Sequence, residues 1–455
     1  MTQRSTSAQP DAHLAVNERG HLAIDGCDAV ELAERFGTPL WVISERAIRD
    51  NVARLREAFA RVHAATRVVY ASKANPEPAI VRVATDAGAW VDGVTMGHLH
   101  LLERAGVPPS AIVLNGNAKT AEELRWALGR RIAYVNVDSP AEVQTLASLQ
   151  PPDAAPVAVC LRLATDPGRH AHDDPAFAED ERGSKFGMTE SEILDAARVV
   201  HEHPGLELAG VHNHVGFPAY GIPYSAELDL RRHQRAADQT CAVAARLRSD
   251  GYAIRTVNLG GGFRVPKAHG FGPGGITDIP PVDAYAETVG EVVGRHGLHD
   301  VELLLEAGGY VVADAVVLLA TVLQRKAASD GGNDWVFVRD TSAYHFVRAL
   351  MYGFRHHVLA ASRMNAEPAE RVRLAGPVCT TDSLAEGVLL PRLEPGDVVA
   401  VLDQGAYCEA VTSDYCAIPI PAAVLASDGR AEVTRRRETV DDIVARFEVP
   451  SWLGT

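Results

Sequence analysis

The sequence predicts two parts of different fold class, an α/β part that forms a (β/α)8 TIM barrel and an all-β part. Between about residues 65 and 310, eight short apolar runs alternate with longer segments that begin and end like helices. The apolar runs are continuous, as expected for parallel strands that are buried on both faces. From about residue 310 to 455 the runs are short and separated by Gly, Pro and Asp turns such as LEPGD, which is typical of a β domain.

The eight apolar runs are the predicted barrel strands. In chain order they are RVVYA (67–71), AWVDGV (89–94), AIVLNG (111–116), AYVNVD (133–138), VAVCLRL (157–163), LAGVHNHV (208–215), TVNLGGG (256–262) and VELLLEAGG (301–309). Helix candidates such as PAIVRVATDAG and TAEELRWALG lie between them. An open doubly wound sheet is the alternative, but the GxGxxG turn expected after one of its early strands is absent.

The chain ends predict a β domain of the sandwich or barrel type. Its candidate strands are DWVFVRD, RVRLAG, DVVAVLD and AEVTRRRE, and the N-terminal runs GHLAIDG and TPLWVIS have a similar pattern. We therefore expect an N-terminal segment (1–45) that joins the β domain, a barrel (46–309) and a C-terminal β domain (310–455).

Composition and charge exclude several classes of partner. A formal net charge of −15, without any Lys/Arg block, argues against nucleic acid and against an anionic membrane as partner. The stretch VVADAVVLLATVL is too short and too charged to cross a bilayer, and the polar N-terminus lacks the apolar core of a signal peptide. Six scattered cysteines without a CxxC pair predict reduced thiols rather than disulfides or a zinc site. We expect a cytoplasmic protein.

Unusual polar residues follow the predicted barrel strands, where the chemistry of such barrels takes place. Lys73 follows the first strand, and Arg162 closes the fifth. The sixth strand ends in HNHVG, the seventh runs into Gly260–Gly262, and the eighth contains Glu306. Each residue alone has an ordinary structural explanation, but their position at one rim favours a functional one.

Taken together, these groups suggest pyridoxal phosphate. His212 and His214 share one strand face and could bind a metal, and Gly260–Gly262 could be either a tight turn or a nest of N–H groups for a phosphate. A pyridoxal phosphate site requires a lysine that binds the cofactor covalently and N–H groups that hold its phosphate. It also needs an imidazole on the ring and a carboxylate that keeps the ring nitrogen protonated.

These motifs resemble those of the alanine-racemase-fold decarboxylases, the pyridoxal phosphate family that includes diaminopimelate and ornithine decarboxylases. The resemblance extends from FGTPLWV to RRRET and covers nearly the whole chain. YASKAN resembles the Y-x-x-K-A-N motif and implies Lys73 as the covalent cofactor residue. HNHVG resembles H-x-H-x-G and implies that His214 stacks on the ring, and EAGG resembles E-P-G-R and implies Glu306 as partner of the ring nitrogen. The family's glycine motif corresponds to Gly260, Gly261 and Gly262. The segment LRLATD also resembles a family segment, and this resemblance adds Arg162 to the expected cofactor contacts.

Three further motifs lie in the predicted β domain. GPVCTTD resembles G-P-x-C and implies that Cys379 reaches the partner subunit's site in a head-to-tail homodimer. GAY resembles the segment whose tyrosine, here Tyr407, contacts the phosphate. RALMY resembles the segment whose Arg and Tyr, here Arg348 and Tyr352, hold the distal carboxylate of the amino-acid substrate.

The chain departs from the family pattern at three positions. Gly309 replaces the arginine of E-P-G-R, and Phe217 replaces the serine that usually follows H-x-H-x-G. Thr380 replaces the acidic residue that receives the distal ammonium of the substrate, a role that Asp382 could take over. We therefore expect phosphate binding to depend on the glycines and Tyr407. We also expect a specificity diverged from meso-diaminopimelate toward another dibasic or a modified amino acid, with diaminopimelate decarboxylation itself as the alternative.

The implied carboxylate at the ring nitrogen favours decarboxylation over racemisation, because a protonated ring is a strong electron sink. Cys379 of the partner, or Lys73, is then the expected general acid. A metal-dependent barrel hydrolase using His212, His214 and Lys73 is a rival interpretation, but its HxH motif should end the first strand and here follows the sixth. An inactive regulator is a second rival, and the retained functional residues argue against it.

Overall fold

The computed structural model describes residues 12–165, 185–215, 225–265, 278–329, 331–342, 345, 356–379 and 384–453. These residues divide into two compact units. One unit lies between Arg49 and Val311, and the other combines the residues up to Ile48 with those from Val312 onward. Across the described helices, none is both long enough and apolar enough to span a bilayer.

The N-terminal residues form a small sheet, two helices and one strand of a larger sheet. The elements are β1 (Leu14–Val16), β2 (Leu22–Ile24), β3 (Cys27–Asp28), α1 (Ala29–Phe36), β4 (Leu40–Ser44) and α2 (Glu45–Ala60). Strands β1, β2 and β3 pair antiparallel. Asp28 begins α1 by accepting hydrogen bonds from the first-turn amides, which satisfies donors that have no partner within the helix.

The barrel consists of eight parallel strands that follow one another around a closed ring. The strands are β5 (Thr66–Ala71), β6 (Trp90–Gly93), β7 (Ile112–Leu114), β8 (Tyr134–Val137), β9 (Val157–Arg162), β10 (Leu206–His212), β11 (Thr256–Asn258) and β12 (Glu302–Ala307). The ring closes where β12 pairs with β5 and β9 pairs with β10. The helices between the strands are α3 (Pro78–Asp86), α4 (Met96–Arg104), α5 (Ala121–Arg130), α6 (Pro140–Leu149), α7 (Glu190–Glu202), α8 (Ala226–Ser249) and α9 (Val282–Arg295).

Ser and Thr side chains begin five of these helices, as the sequence pattern predicts. The capping residues are Thr95, Thr120, Ser139, Thr189 and Ser225. The interior of the barrel is filled by apolar side chains that include Val69, Val113, Cys160 and Leu304. Each fully buried Val or Leu contributes about 1.5–3 kcal/mol relative to an exposed one, so this core holds the strand ends in place.

The second unit is built on a nine-stranded mixed sheet. Its elements are α10 (Gly309–Val312, at the boundary), β13 (Val316–Lys326), β14 (Asp334–Val338), β15 (Val358–Leu359), β16 (Glu370–Ala375), β17 (Ala385–Leu390), β18 (Val398–Val401), β19 (Ala422–Ser427), β20 (Arg430–Arg435) and α11 (Val440–Val444). The order β17-β16-β14-β13-β4-β19-β20 forms the main path, and β18 pairs with β13 and β15.

The structure confirms the predicted fold class, since each of the eight apolar runs overlaps a barrel strand and a separate β sheet accompanies the barrel. TPLWVIS becomes β4, which pairs with β13 and β19. GHLAIDG enters the small sheet as β2 instead, and is joined to the rest of its unit by a hydrogen bond from Leu22 N–H to the Ala361 carbonyl. The boundaries at residues 45/46 and 309/310 remain proposals.

Candidate active site

The barrel brings the sequence-predicted residues to the carboxyl ends of its strands. Lys73 lies in a 3-10 turn directly after β5, and Arg162 is the last residue of β9. His214 follows β10 by two residues, Gly260–Gly262 follow β11, and Glu306 lies near the end of β12. Residues far apart in the sequence therefore share one rim.

The segment that carries Lys73 is held by Asp92, a fully buried residue of β6. Asp92 Oδ1 accepts the Ser72 N–H at 2.8 Å, and Ser72 Oγ donates to the Asp92 carbonyl at 2.6 Å. Burial, and then the charge of Glu306, raise the pKa of Asp92 to about 6, while Lys73 opposes the rise. Lys73 thus lies within electrostatic reach of both carboxylates.

Glu306 is a buried carboxylate with strong partners. Its Oε1 accepts hydrogen bonds from the side-chain amides of Asn136 at 3.0 Å and Asn258 at 2.8 Å, and its Oε2 lies 3.5 Å from His212 Nε2. Burial alone would raise the pKa of Glu306, but His212, the Asn115 amide and the charge of Lys73 together outweigh it, and the pKa lies below the usual range. Glu306 is therefore ionised at neutral pH.

A chain of side-chain amides links Glu306 to Asp92. Asn136 Nδ2 also donates to Asn115 Oδ1 at 2.8 Å, and Asn115 Nδ2 donates to Asp92 Oδ2 at 3.0 Å. We call Asp92, Asn115, Asn136, Asn258 and Glu306 the polar layer. It connects the ends of β6, β7, β8, β11 and β12, and so couples the Lys73 segment to the predicted partner of the ring nitrogen.

The two histidines of the HxH motif have different surroundings. His212 is buried, and neither of its ring nitrogens has a hydrogen-bond partner among the described residues. His214 Nδ1 accepts the Gly261 N–H at 3.1 Å. Burial, then Lys73 and Arg162, lower the pKa of His214, so its ring is neutral. The described part of the chain contains no cluster of three or more His, Cys, Asp or Glu side chains that could hold a metal.

The glycine turn after β11 requires glycine for steric reasons. Gly260 and Gly262 have φ of +61° and +101°, a region that other residues rarely adopt. A Cβ at Gly261 would lie 2.5 Å from the Glu306 carbonyl oxygen. The Gly260 N–H donates to Asn258 Oδ1 at 2.9 Å and the Gly261 N–H to His214, so two of the three N–H groups of the expected phosphate nest are already used. The third N–H group of the expected phosphate nest is that of Gly262.

Two other cations at the rim are paired within the protein. Arg162 Nη1 lies 3.0 Å from Asp138 Oδ1, and its guanidinium lies over the Phe186 ring, 4.4 Å from the centroid. Lys119, whose side chain has no exposed surface, donates to the Gly116 and Asn136 carbonyls and to Glu142 Oε1 at 2.6–2.7 Å. Both cations therefore connect neighbouring segments of the rim through their hydrogen bonds and ion pairs.

The predicted residues of the β unit are described only in part. Cys379 is exposed, and its Sγ lies 3.4 Å from Tyr415 Oη. This hydrogen bond lowers the pKa of Cys379 and raises that of Tyr415 to about 12. Tyr407 is half-buried and has a left-handed backbone with φ of +55°. Five residues named from the sequence lie outside the described residues: Phe217, Arg348, Tyr352, Thr380 and Asp382.

The rim has the groups that pyridoxal phosphate needs, and it leaves some of them without a partner. The ring nitrogens of His212 and the side-chain oxygen of Asn136 are buried polar atoms with no hydrogen-bond partner in the described residues, which is costly unless a ligand or water supplies one. Lys73, His214 and the ionised Glu306 complete the donor set. The fold and the site together define a barrel enzyme of the pyridoxal phosphate type.

Comparison with known proteins agrees with this class. Residues 45–313 match the family described as "Pyridoxal-dependent decarboxylase, pyridoxal binding domain". Diaminopimelate decarboxylase from Methanothermobacter thermautotrophicus is 33% identical over 97% of this chain and 98% of its own length. The Bacillus subtilis enzyme of the same name is 32% identical over 96% of this chain and 97% of its own. The crystal structure of diaminopimelate decarboxylase from M. jannaschii superposes with a TM-score of 0.86 at 30% identity, covering 97% of this chain and 99% of that one.

The chain belongs to the pyridoxal-dependent decarboxylase family, as its motifs predict. It is a carboxy-lyase, and its cofactor is pyridoxal 5′-phosphate. This result displaces the metal-dependent hydrolase as an interpretation of the HxH motif. The roles of the individual site residues remain proposals.

Sequence reasoning missed four members of the polar layer, although they stand within the predicted strands. Asp92 lies in AWVDGV, Asn115 in AIVLNG, Asn136 in AYVNVD and Asn258 in TVNLGGG. The available signal was a polar residue near the carboxyl end of an otherwise apolar strand, repeated on four strands that meet at the rim carrying Lys73.

Proposed function

We propose that this enzyme removes the α-carboxylate of an amino acid of the diaminopimelate type. The observation that carries the proposal is the ionised, hydrogen-bonded Glu306 at the same rim as Lys73. The bound cofactor supplies an electron sink for the electron pair that remains when the carboxylate leaves as CO2. A carboxylate at the ring nitrogen strengthens that sink by stabilising the ring in its protonated form.

The other rim residues bind and orient in this proposal. Lys73 would hold the cofactor covalently. The neutral ring of His214, held by the Gly261 N–H, would pack against the cofactor ring. Gly262 and Tyr407 would bind the phosphate, and Arg162, paired with Asp138, would add a further cofactor contact.

The reacting carbon then needs a proton donor, and we assign it to Cys379 of a partner subunit in a homodimer. The resemblance of GPVCTTD to the family motif supports this assignment, as do the exposure of Cys379 and its lowered pKa. Lys73 is the alternative donor. Free cysteines support a cytoplasmic location for the enzyme.

Diaminopimelate is the first candidate substrate. The similar proteins from M. thermautotrophicus and B. subtilis carry that name over almost their full lengths. Solved structures from M. jannaschii and Helicobacter pylori at 30% and 25% identity hold L-lysine, the product of decarboxylating diaminopimelate at one end. These relatives favour diaminopimelate over the diverged specificity that the sequence departures predicted.

A diverged specificity remains the second candidate because of two residues. Thr380 supplies a hydroxyl where the family has a carboxylate, and a desolvated ammonium without a carboxylate partner costs several kcal/mol. Gly309 removes the arginine of E-P-G-R, and a Cβ built at Gly309 meets no atom within 4 Å. The position therefore has room for the first atom of a larger side chain.

Two measurements test the substrate and the chemistry. Purified protein loaded with pyridoxal phosphate should absorb visible light, and it should release CO2 from one or more amino acids of a panel of D- and L-isomers. We expect meso-diaminopimelate to have the highest kcat/KM in the panel. A higher kcat/KM for another dibasic or modified acid would select the second candidate, and in that case Thr380→Glu and Gly309→Arg should shift the preference toward diaminopimelate. Absence of CO2 release from every acid would refute the proposed function.

Mixing two inactive variants tests the shared site. Lys73→Ala and Cys379→Ala each disable one proposed contribution, so a heterodimer would contain one site with both residues intact. We expect partial recovery of activity on mixing, measured together with subunit exchange by native mass spectrometry. Exchange without recovery would contradict the assignment of Cys379 to the partner's site.

A further inference from the structure

Asn136 and Asn258 are buried amides that converge on one atom. Both donate from Nδ2 to Glu306 Oε1, at 3.0 Å and 2.8 Å. The two asparagines are 2% and 0% exposed, so water does not compete for these bonds. A carboxylate oxygen that accepts two amide hydrogens is satisfied within the protein.

The orientation of each amide is set by neighbours of known polarity. Asn258 Oδ1 accepts the Gly260 N–H at 2.9 Å, and a backbone N–H can only donate, so Nδ2 must face Glu306. Asn136 Nδ2 also donates to Asn115 Oδ1, whose own Nδ2 donates to the carboxylate of Asp92. Donation therefore runs outward from Asn136, directly to Glu306 on one side and through Asn115 to Asp92 on the other, so that each end is an accepting carboxylate.

The second oxygen of Glu306 has a different environment. Oε2 lies 3.5 Å from His212 Nε2, which is longer than a good hydrogen bond. The Asn136 and Asn258 amides both bond Oε1, and the Asn115 amide also interacts with the Glu306 carboxylate and lowers its pKa. The two oxygens of the carboxylate are thus unequal, since two protein amides hold Oε1 at 3.0 Å or less, whereas the His212 ring lies 3.5 Å from Oε2.

We propose that Asn136 and Asn258 are positioning residues that keep Glu306 ionised and reserve its Oε2 for the protonated ring nitrogen of the cofactor. An amide N–H stabilises a carboxylate oxygen but repels the hydrogen of the protonated acid. Two such donors on Oε1 therefore oppose transfer of the ring proton to Glu306. This inference rests on the proposed role of Glu306 at the ring nitrogen.

The test uses the full-length enzyme loaded with pyridoxal phosphate that carries 15N in its ring, because the 15N chemical shift reports protonation of that nitrogen directly. Asn136→Leu removes the donor at similar volume. Asn136→Asp keeps the size of the side chain but places a second carboxylate beside Glu306. We expect the protonated fraction of the ring to fall in the Leu variant, and kcat to fall about tenfold or more, with a smaller change in KM. The Asp variant should keep a protonated ring, because one of two adjacent buried carboxyl groups takes up a proton and can then donate to Glu306 as the amide does.

Asn213→Leu is the matched control. Asn213 is equally buried, but its amide donates to the Ala236 carbonyl and to Thr240 Oγ1 at 2.8 Å and 2.7 Å, away from Glu306. We expect this variant to lose stability while its 15N shift stays at the wild-type value. A shift that moves equally in Asn213→Leu would overturn the proposal, since loss of any buried amide would then produce it.

The remaining outcomes separate this inference from the proposed function. A wild-type 15N shift in Asn136→Leu overturns the inference and leaves the decarboxylase function standing. Asn258→Leu, which removes the other amide donor to Oε1, decides the question if Asn136→Leu fails to fold. A wild-type protein that takes up no labelled cofactor overturns both.

Discussion

The two units of the molecule treat their reactive groups in opposite ways. In the barrel, Glu306 and Asp92 are buried and every step from one to the other is a hydrogen bond. In the β unit, Cys379 and Cys416 are exposed and gather around Tyr415. Buried polar groups are stabilising only when their partners are complete, whereas exposed ones can exchange partners freely.

This contrast separates two tasks of a decarboxylase. Groups that set the electronic state of a cofactor benefit from a fixed, water-excluded environment, because hydrogen bonds there strongly shift the pKa values of these groups. A thiol that must donate a proton to a group supplied by another chain has to remain accessible. In the proposed mechanism, the barrel would hold the groups that set the charge of the cofactor, and the β unit would hold the proton donor Cys379.

Loss of Lys73 should have the largest effect. Lys73→Ala removes the proposed covalent attachment, so decarboxylation should fall by at least about a thousandfold, and borohydride treatment should leave no stable cofactor label. Peptide mapping of the reduced wild-type protein checks the site directly. Lys326→Ala, at an exposed position of β13, should keep full labelling. Label on any lysine other than Lys73 would make the assignment wrong.

The glycine turn gives the next largest effect. Gly261→Ala would place a Cβ 2.5 Å from the Glu306 carbonyl oxygen, and overpacking of this kind costs about 1–3 kcal/mol in the free energy of unfolding. Gly309→Ala is the matched control, because its Cβ meets no atom within 4 Å. Urea unfolding of both variants measures the difference. Equal stabilities would show that the turn yields to the extra methyl group.

Asp92 should impose a pH dependence on the stability of the cofactor-free protein. Its pKa rises from an ordinary value of 3.8 to about 6, so the folded protein binds this proton more tightly than the unfolded chain. The free energy of unfolding should therefore fall by about 3 kcal/mol as pH rises through that interval. Asp92→Asn should remove this slope in thermal melts at several pH values, whereas Asp195→Asn at an exposed site of α7 should retain it. A wild-type slope in Asp92→Asn contradicts the prediction.

The smallest effect concerns the reactivity of the exposed thiol. Tyr415 lowers the pKa of Cys379, which increases its thiolate fraction at neutral pH. Tyr415→Phe should slow alkylation of Cys379 by iodoacetamide severalfold, with rates followed by mass spectrometry across pH. The buried cysteines, including Cys160 and Cys241, should stay unmodified in the native protein. An unchanged alkylation rate in Tyr415→Phe would show that the hydrogen bond has no effect on the thiol.

The barrel could be predicted from the sequence because its strands are buried on both faces. Runs such as VAVCLRL are apolar without interruption, and turn residues separate them from capped helices. The β unit was harder to predict. β13 begins inside the apolar stretch VVADAVVLLATVL and ends after it. Strands β4, β14 and β18 all pair with β13. Pairing between distant segments leaves no local pattern.

The candidate site was predictable where the chemistry demands an unusual residue type. Lys73, His214 and Glu306 stand out at strand ends because such residues are rare in apolar runs. Asn115 and Asn136 do not, since an asparagine at a strand end is equally common in turns. Their function depends on the direction of their hydrogen bonds, and only the geometry shows that direction.

The hydrogen bonds that hold the Lys119 side chain affect which lysine amine the cofactor can reach. The chain contains five lysines, and Lys119 shares the rim with Lys73. An aldehyde condenses only with an amine whose lone pair it can reach. Lys119 is fully buried and commits its ammonium to two carbonyls and Glu142, so condensation there would require breaking all three bonds. If Lys73 is the attachment point, as proposed, access rather than basicity would select it over Lys119. A variant that frees Lys119 would then create a second, unproductive attachment point.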